Sequence, residues 1–221
     1  MEEFNFLTWL GHASFKIEDI ETNSVFYYID PFQLPKIMYD PADAIFITHT
    51  HYDHFSVNDI KNLLKEDTVI VGPKDCTPNI VQKRFEVAPN KKYEINRIQF
   101  STLPAYNLHS ERLSFHPKEN GWVGYIFNVN GKKIYHAGDT DFIPEMENLE
   151  KENIDLALLP IGGTYTMDTV EAIEAANAIS AKFTAPIHYK GLLKEKSLVE
   201  EEKFKNGVKN SKVIILKDLS D

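Results

Sequence analysis

His49-Thr50-His51-Tyr52-Asp53-His54 places three imidazoles and one carboxylate within six residues. In an extended backbone alternate side chains share one side, so His49, His51 and Asp53 can converge while His54 turns toward a neighbouring position. Imidazole nitrogen and carboxylate oxygen are ordinary ligands of Zn²⁺ and related divalent metals. The stretch therefore predicts a metal site, and its four candidate ligands favour two adjacent metals over one.

The stretch directly follows residues 44–48, Ala-Ile-Phe-Ile-Thr, a pattern typical of a buried strand. Folds of the α/β class hold their sites at the C-terminal ends of strands. Two later predicted strands also end in residues of ligand type, the first near Asp139 and the second at His188. An Asp in a Gly-Asp-Thr turn is more often a turn former, and a single buried His is more often structural. Asp139 and His188 become candidate metal ligands only when they are considered together with the stretch from His49 to His54.

Composition restricts the class of protein. With 221 residues and 43% hydrophobic content, we expect one domain over residues 1–221. The net charge of −9 argues against a protein that grips nucleic acid, because such binding relies on Lys and Arg. The acidic start, the lack of an apolar run of about 18 residues and the single Cys76 predict a cytoplasmic protein without a membrane segment.

Short strands dominate the predicted secondary structure. Apolar or β-branched segments predict strands at Phe6–Leu10, Ser14–Ile17, Ser24–Ile29, Ala44–Thr48, Thr68–Val71, Ile98–Leu103, Trp122–Val129, Lys133–His136, Asp155–Pro160, Phe183–Ile187 and Val213–Leu216. Helices are expected at Asp59–Lys65, Thr77–Phe85 and Ile143–Lys151, after an Asp168 cap through about Ile179, and after a Ser197 cap. Asn130-Gly131 predicts a tight hairpin turn. Strands that need helices to cover them predict a sandwich of two sheets flanked by helices.

Taken together, these segments resemble the metallo-β-lactamase-fold hydrolases. The signature His-x-His-x-Asp-His is present at His49, His51, Asp53 and His54. Further segments resemble the branch of ascorbate-6-phosphate lactonase-like and N-acyl phosphatidylethanolamine phospholipase D-like proteins: residues 9–15 (Trp-Leu-Gly-His-Ala-Ser-Phe), 136–140 (His-Ala-Gly-Asp-Thr) and 186–188 (Pro-Ile-His). The resemblance implies an αββα sandwich, with two mixed sheets packed face to face and helices on the outer faces.

The resemblance also implies a ligand set. His49 and His51 would bind one metal, Asp53, His54 and His188 would bind the second, and Asp139 would bridge the two. The family expects a third histidine on the first metal, but this sequence carries Asn107 at the matching place. We favour His116, folded back, as the replacement, and Asn107 or a water remains the alternative.

The expected chemistry is hydrolysis by a water that two divalent cations activate. Asp53 and Asp139 are the expected catalytic carboxylates. His12, Tyr106, Asn107, Tyr165 and Lys190 are candidate substrate contacts. Zn²⁺ or Mn²⁺ is expected, with Fe²⁺ or Ni²⁺ possible for the same ligands. At the N-terminus of the Asp168 helix, an anion site and a plain connection are equally consistent with the sequence.

We expect a small, anionic ester or lactone as substrate. A phosphodiester of a small nucleotide or lipid head group is the alternative, and a non-catalytic, metal-stabilised sensor or scaffold is a second alternative. Neither nucleic acid nor a membrane is expected as a partner, and homo-oligomerisation is possible.

Overall fold

The computed structural model describes residues 2–20, 25–76, 83–217 and 219. The chain divides into two compact units, one formed by residues up to Ala88 with the last residues from Lys217, the other by Pro89–Leu216. Each unit contains one mixed β-sheet. Among the described residues, no helix has both the length and the apolar character needed to cross a bilayer.

Within its described residues, the first unit holds a six-stranded sheet and one α-helix. The strands are β1 Leu7–Gly11, β2 Ser14–Asp19, β3 Val25–Ile29, β4 Ala44–Phe46, β5 Val69–Gly72 and β6 Lys83–Glu86, and helix α1 spans Val57–Lys61. They lie in sequence order, antiparallel from β1 to β3 and parallel from β3 to β6. Helix α1 contributes Ile60 to a buried cluster that contains Ile45 of β4 and Ile70 of β5. Burial of this apolar stripe fixes the helix beside the parallel strands.

The second unit holds a seven-stranded sheet and three α-helices. Its strands are β7 Lys92–Ile95, β8 Ile98–Pro104, β9 Val123–Val129, β10 Lys132–His136, β11 Leu156–Pro160, β12 Phe183–Ile187 and β13 Lys212–Val213, and its helices are α2 Thr169–Ile179, α3 Lys190–Leu193 and α4 Ser197–Gly207. The sheet order is β13-β12-β11-β10-β9-β8-β7. Strands β10 to β13 are parallel to one another. The C-terminal ends of β10, β11 and β12 therefore lie at the same edge of the sheet.

Several local signals predicted the backbone correctly. The turn between β9 and β10 consists of Asn130 and Gly131, with φ of 52° and 69°, as a tight hairpin turn requires. Asp168 caps α2, because its carboxylate accepts hydrogen bonds from the backbone N–H groups of Val170 and Glu171 at 2.8 and 2.9 Å. The predicted α/β arrangement of two sheets with helices is confirmed in its elements.

Other predictions about the helices were wrong in position or type. Helix α1 begins at Val57 and not at Asp59, because Ser56 caps it. The residues from 144 to 152 form a 3₁₀ helix. The predicted Ser197 cap is the first residue of α4, since Lys196 before it has helical backbone angles instead of the extended ones that a cap needs.

The predicted strands and the helix over 77–85 also need correction. Of that helix, residues 77–82 lie outside the described part of the chain, and Lys83–Glu86 is strand β6, paired in parallel with β5. Ser24, the predicted first residue of β3, is also outside the described residues. Strand β7 was missed, and β13 ends at Val213 instead of Leu216. Pairing with a neighbouring strand, which single-sequence patterns do not report, decides these short edge segments.

Candidate metal centre

In the first unit, the loop after β4 is held by one buried carboxylate, Asp30, which follows β3. Asp30 accepts hydrogen bonds at Oδ1 from the Thr48 backbone N–H at 2.8 Å and at Oδ2 from the Thr48 hydroxyl at 2.6 Å. Oδ2 also accepts from His54 Nδ1 at 2.8 Å. Asp30, Thr48 and His54 are all buried. The two ends of the histidine stretch are therefore tied to the same side chain.

These contacts determine which nitrogen of each imidazole carries the proton. A carboxylate only accepts, so His54 donates from Nδ1 and keeps its lone pair on Nε2. The single hydroxyl proton of Thr48 goes to Asp30, so the Thr48 oxygen accepts from His49 Nδ1 at 2.9 Å. His49 also keeps its lone pair on Nε2. Such hydrogen bonds to the distal nitrogen are the usual support of a metal-binding histidine.

The same loop brings His49 and His51 together. His49 Nε2 lies 3.1 Å from His51 Nδ1. Two ligands at about 2.0–2.1 Å from a tetrahedral metal are themselves about 3.3 Å apart, so this separation suits a shared ion. Asp53 is a short way along the loop, and its Oδ2 lies 3.2 Å from Nε2 of His12. His12 thus contacts a candidate ligand.

In the second unit, three widely separated segments form another cluster. Asp139 follows β10, His188 follows β12 and His116 lies in the connection from β8 to β9. Oδ2 of Asp139 is 3.3 Å from His188 Nε2 and 3.4 Å from His116 Nε2. All three side chains are buried. One carboxylate oxygen therefore faces two imidazole nitrogens at separations typical of ligands around a metal.

Two glycines allow the chain to approach these residues closely. A Cβ at Gly162 would lie 2.6 Å from the His188 carbonyl oxygen, and a Cβ at Gly124 would lie 2.7 Å from the carbonyl oxygen of Ala137. Both distances are shorter than any real Cβ contact. Neighbouring strands of the sheet can therefore place Asp139 and His188 only because these positions carry no side chain.

Asn107 does not face Asp139 directly but contacts His116. Its Oδ1 accepts from the His116 backbone N–H at 3.1 Å and from His116 Nδ1 at 2.8 Å. Its Nδ2 donates to Asp141 Oδ1 at 2.9 Å and to the carbonyl oxygen of Tyr165 at 3.0 Å. All four hydrogen-bonding positions of the amide are thus filled by protein groups.

The other candidate substrate contacts have different surroundings. The Tyr106 hydroxyl donates to Glu145 at 2.9 Å and accepts from Lys118 at 3.1 Å. Burial raises the pKa of Tyr106, the hydrogen bond from Lys118 lowers it and that to Glu145 raises it, with a net rise. Tyr165 is 39% exposed, and its ring meets Phe115 edge to face. Lys190, half-buried, is the first residue of α3.

A cleft of about 820 Å³ lies beside the start of α2 in the second unit. Its lining includes Glu111, Asp168, Glu171 and Glu174. Asp168 already caps the helix, so the N–H groups that an anion would need donate to a carboxylate of the protein. Of the two readings left open by the sequence, the plain strand-to-helix connection fits this acidic cleft better than an anion site.

The donor chemistry of both clusters fits divalent metal ions. Each cluster combines imidazole and carboxylate groups, and in each the hydrogen bonds leave the lone pair of at least one imidazole on Nε2. Such N and O ligands suit Zn²⁺, Mn²⁺, Fe²⁺ and Ni²⁺. His49, His51, Asp53 and His54 would hold metal in the first unit, and His116, Asp139 and His188 would do so in the second.

Sequence reasoning missed the residues that support these ligands. Asp30 directly follows a predicted strand, so the strand-end rule that identified Asp139 could have found it. Asp141, fully buried, and Arg112 gave no such signal, because their roles depend on contacts between distant segments.

Comparisons with known proteins agree with this chemistry. The family model described as a beta-lactamase superfamily domain matches residues 6–188. A UPF0173 metal-dependent hydrolase of Alkaliphilus metalliredigens is 32% identical over 95% of this chain and 96% of its own length. Another, from Methanoregula boonei, is 33% identical over 93% of this chain and 90% of its own length.

Solved structures show the same fold. A crystal structure of a proposed metal-dependent hydrolase from Parabacteroides distasonis superposes with a TM-score of 0.83 at 29% identity, covering 96% of this chain and 92% of that one. A metallo hydrolase of Ignicoccus hospitalis, 23% identical, shares the fold with a TM-score of 0.75 over 96% of this chain and 94% of that one. The predicted metallo-β-lactamase fold is therefore confirmed. This chain belongs to the beta-lactamase superfamily and, within it, to the UPF0173 metal-dependent hydrolases.

Proposed function

We propose that this metal-dependent hydrolase is dinuclear and cleaves a small, anionic ester or lactone. In this proposal His49, His51 and His116 would hold the first metal, Asp53, His54 and His188 would hold the second, and Asp139 would be shared by both. This assignment rests on the ligand chemistry of each cluster taken by itself and on the pattern of the family.

The position of Asp139 carries the proposal. Its Oδ2 faces Nε2 of His116 at 3.4 Å and Nε2 of His188 at 3.3 Å. The proposal assigns these two imidazoles to different metals, and a carboxylate that neighbours both is the group expected to bridge them.

Two bound divalent cations would lower the pKa of a shared water toward ~7 and supply hydroxide at neutral pH. The protein itself would then only have to bind and orient the reactants, without a nucleophilic side chain. In this proposal Asp53 would orient the attacking water, and its Oδ2 lies 3.2 Å from His12 Nε2. Tyr165 and Lys190 are the proposed contacts to the substrate, the first through an exposed ring and the second as a cation.

Residues 9–15, 136–140 and 186–188 resemble a branch that contains both lactonase-like and phospholipase D-like proteins, and we place the ester or lactone class first. A small substrate is favoured because the net charge of −9 disfavours a polyanion. Phosphodiesters use the same kind of metal site and form the second candidate class. Zn²⁺ or Mn²⁺ is the proposed metal.

The test begins with metal-free protein, reconstituted separately with Zn²⁺ and with Mn²⁺. Metal content is measured by mass spectrometry, and turnover is measured on a lactone panel and on a bis-aryl phosphodiester. We expect two metals per chain and turnover of at least one lactone at ten or more times the rate of the phosphodiester. The opposite ratio would replace the ester assignment with the phosphodiester one.

Asp139→Asn is the decisive variant, and His109→Gln is its control. His109 is 61% exposed and belongs to neither cluster. We expect Asp139→Asn to remove at least 100-fold of the activity while the metal-free protein keeps its melting temperature, because only the bridge is lost. His109→Gln should behave as the wild type. Full metal-dependent stability without turnover of any substrate would support the scaffold alternative.

A further inference from the structure

Residues 107–116 form a loop whose two ends meet at Asn107 and His116. The Asn107 backbone N–H donates to the His116 carbonyl oxygen at 2.9 Å. In return, the His116 backbone N–H donates to Asn107 Oδ1 at 3.1 Å. The ten-residue connection is thus closed at its base, and the residue that closes it stands where the family resemblance leads one to expect a histidine.

The contacts of Asn107 fix the orientation of its amide and, with it, the tautomer of His116. A carboxylate oxygen of Asp141 and the Tyr165 carbonyl can only accept, so both must face the Asn107 NH₂ group. Oδ1 therefore faces His116, whose Nδ1 lies 2.8 Å away and has to donate. The lone pair of His116 is then on Nε2, the atom that faces Asp139 at 3.4 Å.

A buried network holds Asn107 in turn. Asp141 is fully buried and accepts three hydrogen bonds, from Asn107 and from the backbone N–H groups of Leu108 at 2.7 Å and His109 at 3.0 Å, and it forms an ion pair with Arg112 Nε at 3.1 Å. Arg112 also donates to Glu171 at 2.6 Å and to the Thr166 carbonyl oxygen. The guanidinium therefore ties the loop to the start of α2 and pairs with two carboxylates.

Arg112 also explains why this network is not a metal site of its own. His109, Asp141 and Glu171 place ligand atoms within 4.8 Å of one another. Arg112 contacts both carboxylates of that group, and Asp141 already accepts three hydrogen bonds besides its ion pair with Arg112. The protein itself thus supplies one positive charge beside the two carboxylates.

We propose that Asn107 is a positioning residue that fixes His116 as the Nδ1–H tautomer, with Nε2 directed toward Asp139, while Asp141, Arg112 and Glu171 hold the Asn107 amide. The inference rests on the proposed function, in which His116 is a metal ligand. A neutral amide is required at this position, because it must donate to Asp141 and accept from His116 at the same time. A carboxylate at 107 would face the Asp141 carboxylate, and a leucine would accept nothing.

The first test changes Asn107→Leu, which keeps the size of the side chain and removes the acceptor. Metal affinity is measured by competition with a chromophoric chelator, and the Co²⁺-loaded protein is examined by its visible absorption. Loss of such a supporting hydrogen bond typically costs 10–100-fold in metal affinity, so we expect a rise of that size in the Kd of one metal, with a changed Co²⁺ spectrum. His116→Ala should weaken the same metal at least as much, and Asn206→Leu, a matched change at an exposed position of α4, should leave both unchanged.

The outcomes separate the two proposals. If Asn107→Leu binds metal as the wild type does while His116→Ala does not, the positioning role fails and the ligand role of His116 stands. If His116→Ala also binds as the wild type does, the proposed ligand set fails first.

A second test observes the tautomer of His116 in the wild-type protein and does not depend on metal binding by a variant. Histidine ring nitrogens of the wild-type protein are labelled with ¹⁵N and observed by long-range NMR correlation, with the His116 signals assigned by their absence in His116→Gln. We expect the Nδ1–H tautomer both before and after Zn²⁺ is added. An Nε2–H tautomer in the metal-free protein would overturn the inference, even if Asn107→Leu failed to fold.

Discussion

The two candidate metal-binding clusters differ in how far apart their residues lie in the sequence. In the first unit, four candidate ligands come from one loop, and one carboxylate, Asp30, supports two parts of it. In the second, His116, Asp139 and His188 come from three segments, and the support of His116 passes through Asn107 to Asp141 and Arg112. Both clusters use the same device, a buried acceptor on the distal nitrogen of an imidazole. The first cluster therefore depends on one residue, whereas the second depends on how strands and loops meet.

The largest effect is expected from Asp30→Ala in the first unit. The change removes one acceptor from three buried donors, which are the Thr48 N–H, the Thr48 hydroxyl and His54 Nδ1. We expect the metal-free protein to lose about 3–5 kcal/mol of unfolding free energy in urea, because buried donors without acceptors are costly. Asp40→Ala removes a surface pair with Lys16 and should cost under about 1 kcal/mol. Equal effects of the two changes would contradict the central role of Asp30.

Gly162→Ala tests the assembly of the second cluster. The new Cβ would meet the His188 carbonyl oxygen at 2.6 Å and the Leu192 side chain at 2.7 Å. We expect a loss of about 2–3 kcal/mol of stability, by the mechanism of overpacking, together with weaker metal binding. Gly191→Ala is the control, since a Cβ there would meet nothing within 4 Å. Unchanged metal content in Gly162→Ala would show that His188 tolerates a shift.

A third change, Asp155→Asn, tests the strand ends that lie opposite to those carrying the candidate ligands. Asp155 precedes β11 and contacts the starts of the adjacent strands, accepting from the Lys133 N–H at 2.9 Å and from Lys182 Nζ at 2.6 Å. Burial alone would raise the pKa of Asp155, but the hydrogen bonds from Lys182 and Lys133 outweigh it and lower the pKa. We expect Asp155→Asn to cost on the order of 1 kcal/mol at neutral pH, because Lys182 is 63% exposed.

The sign of its pH dependence follows from the lowered pKa of Asp155. The stabilisation is complete above the unfolded value of about 3.9 and is lost as pH falls through the lower folded value. The difference between wild type and Asp155→Asn in urea unfolding should thus stay constant from about pH 6 to 8 and shrink below about pH 4. Metal affinity should not change. A large loss of metal in this variant would show that the two ends of the strands are coupled.

The smallest effect is expected from Tyr135→Phe in β10. Tyr135 is fully buried, and its hydroxyl has no hydrogen-bond partner among the residues that the structure describes. Burial is also the main cause of the raised pKa of this hydroxyl. We expect unchanged or slightly higher stability, by up to about 1 kcal/mol, because a buried hydroxyl without a partner is unfavourable. A clear loss in thermal unfolding would indicate a partner for the hydroxyl.

Features that one or two neighbouring residues determine were predicted correctly from the sequence. Features that depend on residues far away in the chain were not. The hairpin at Asn130-Gly131 and the Asp168 cap were predicted because one or two residues decide them. Strand β6 was mistaken for the end of a helix, because its partner is β5 and not its neighbours in sequence. The positions of α1 and of the Ser197 cap failed by a few residues, where several polar residues compete to begin a helix.

The sequence alone determined the family, the fold and the identity of the candidate ligands, because the histidine stretch and the strand-end residues Asp139 and His188 are local patterns. The tertiary structure decided which atoms of those ligands face each other, and it placed Asn107 behind His116, with Asp30, Asp141 and Arg112 as supports. The physical reason is that an imidazole has two nitrogens, and the one that carries the proton is set by an acceptor that lies elsewhere in the chain. No spacing in the sequence encodes that contact.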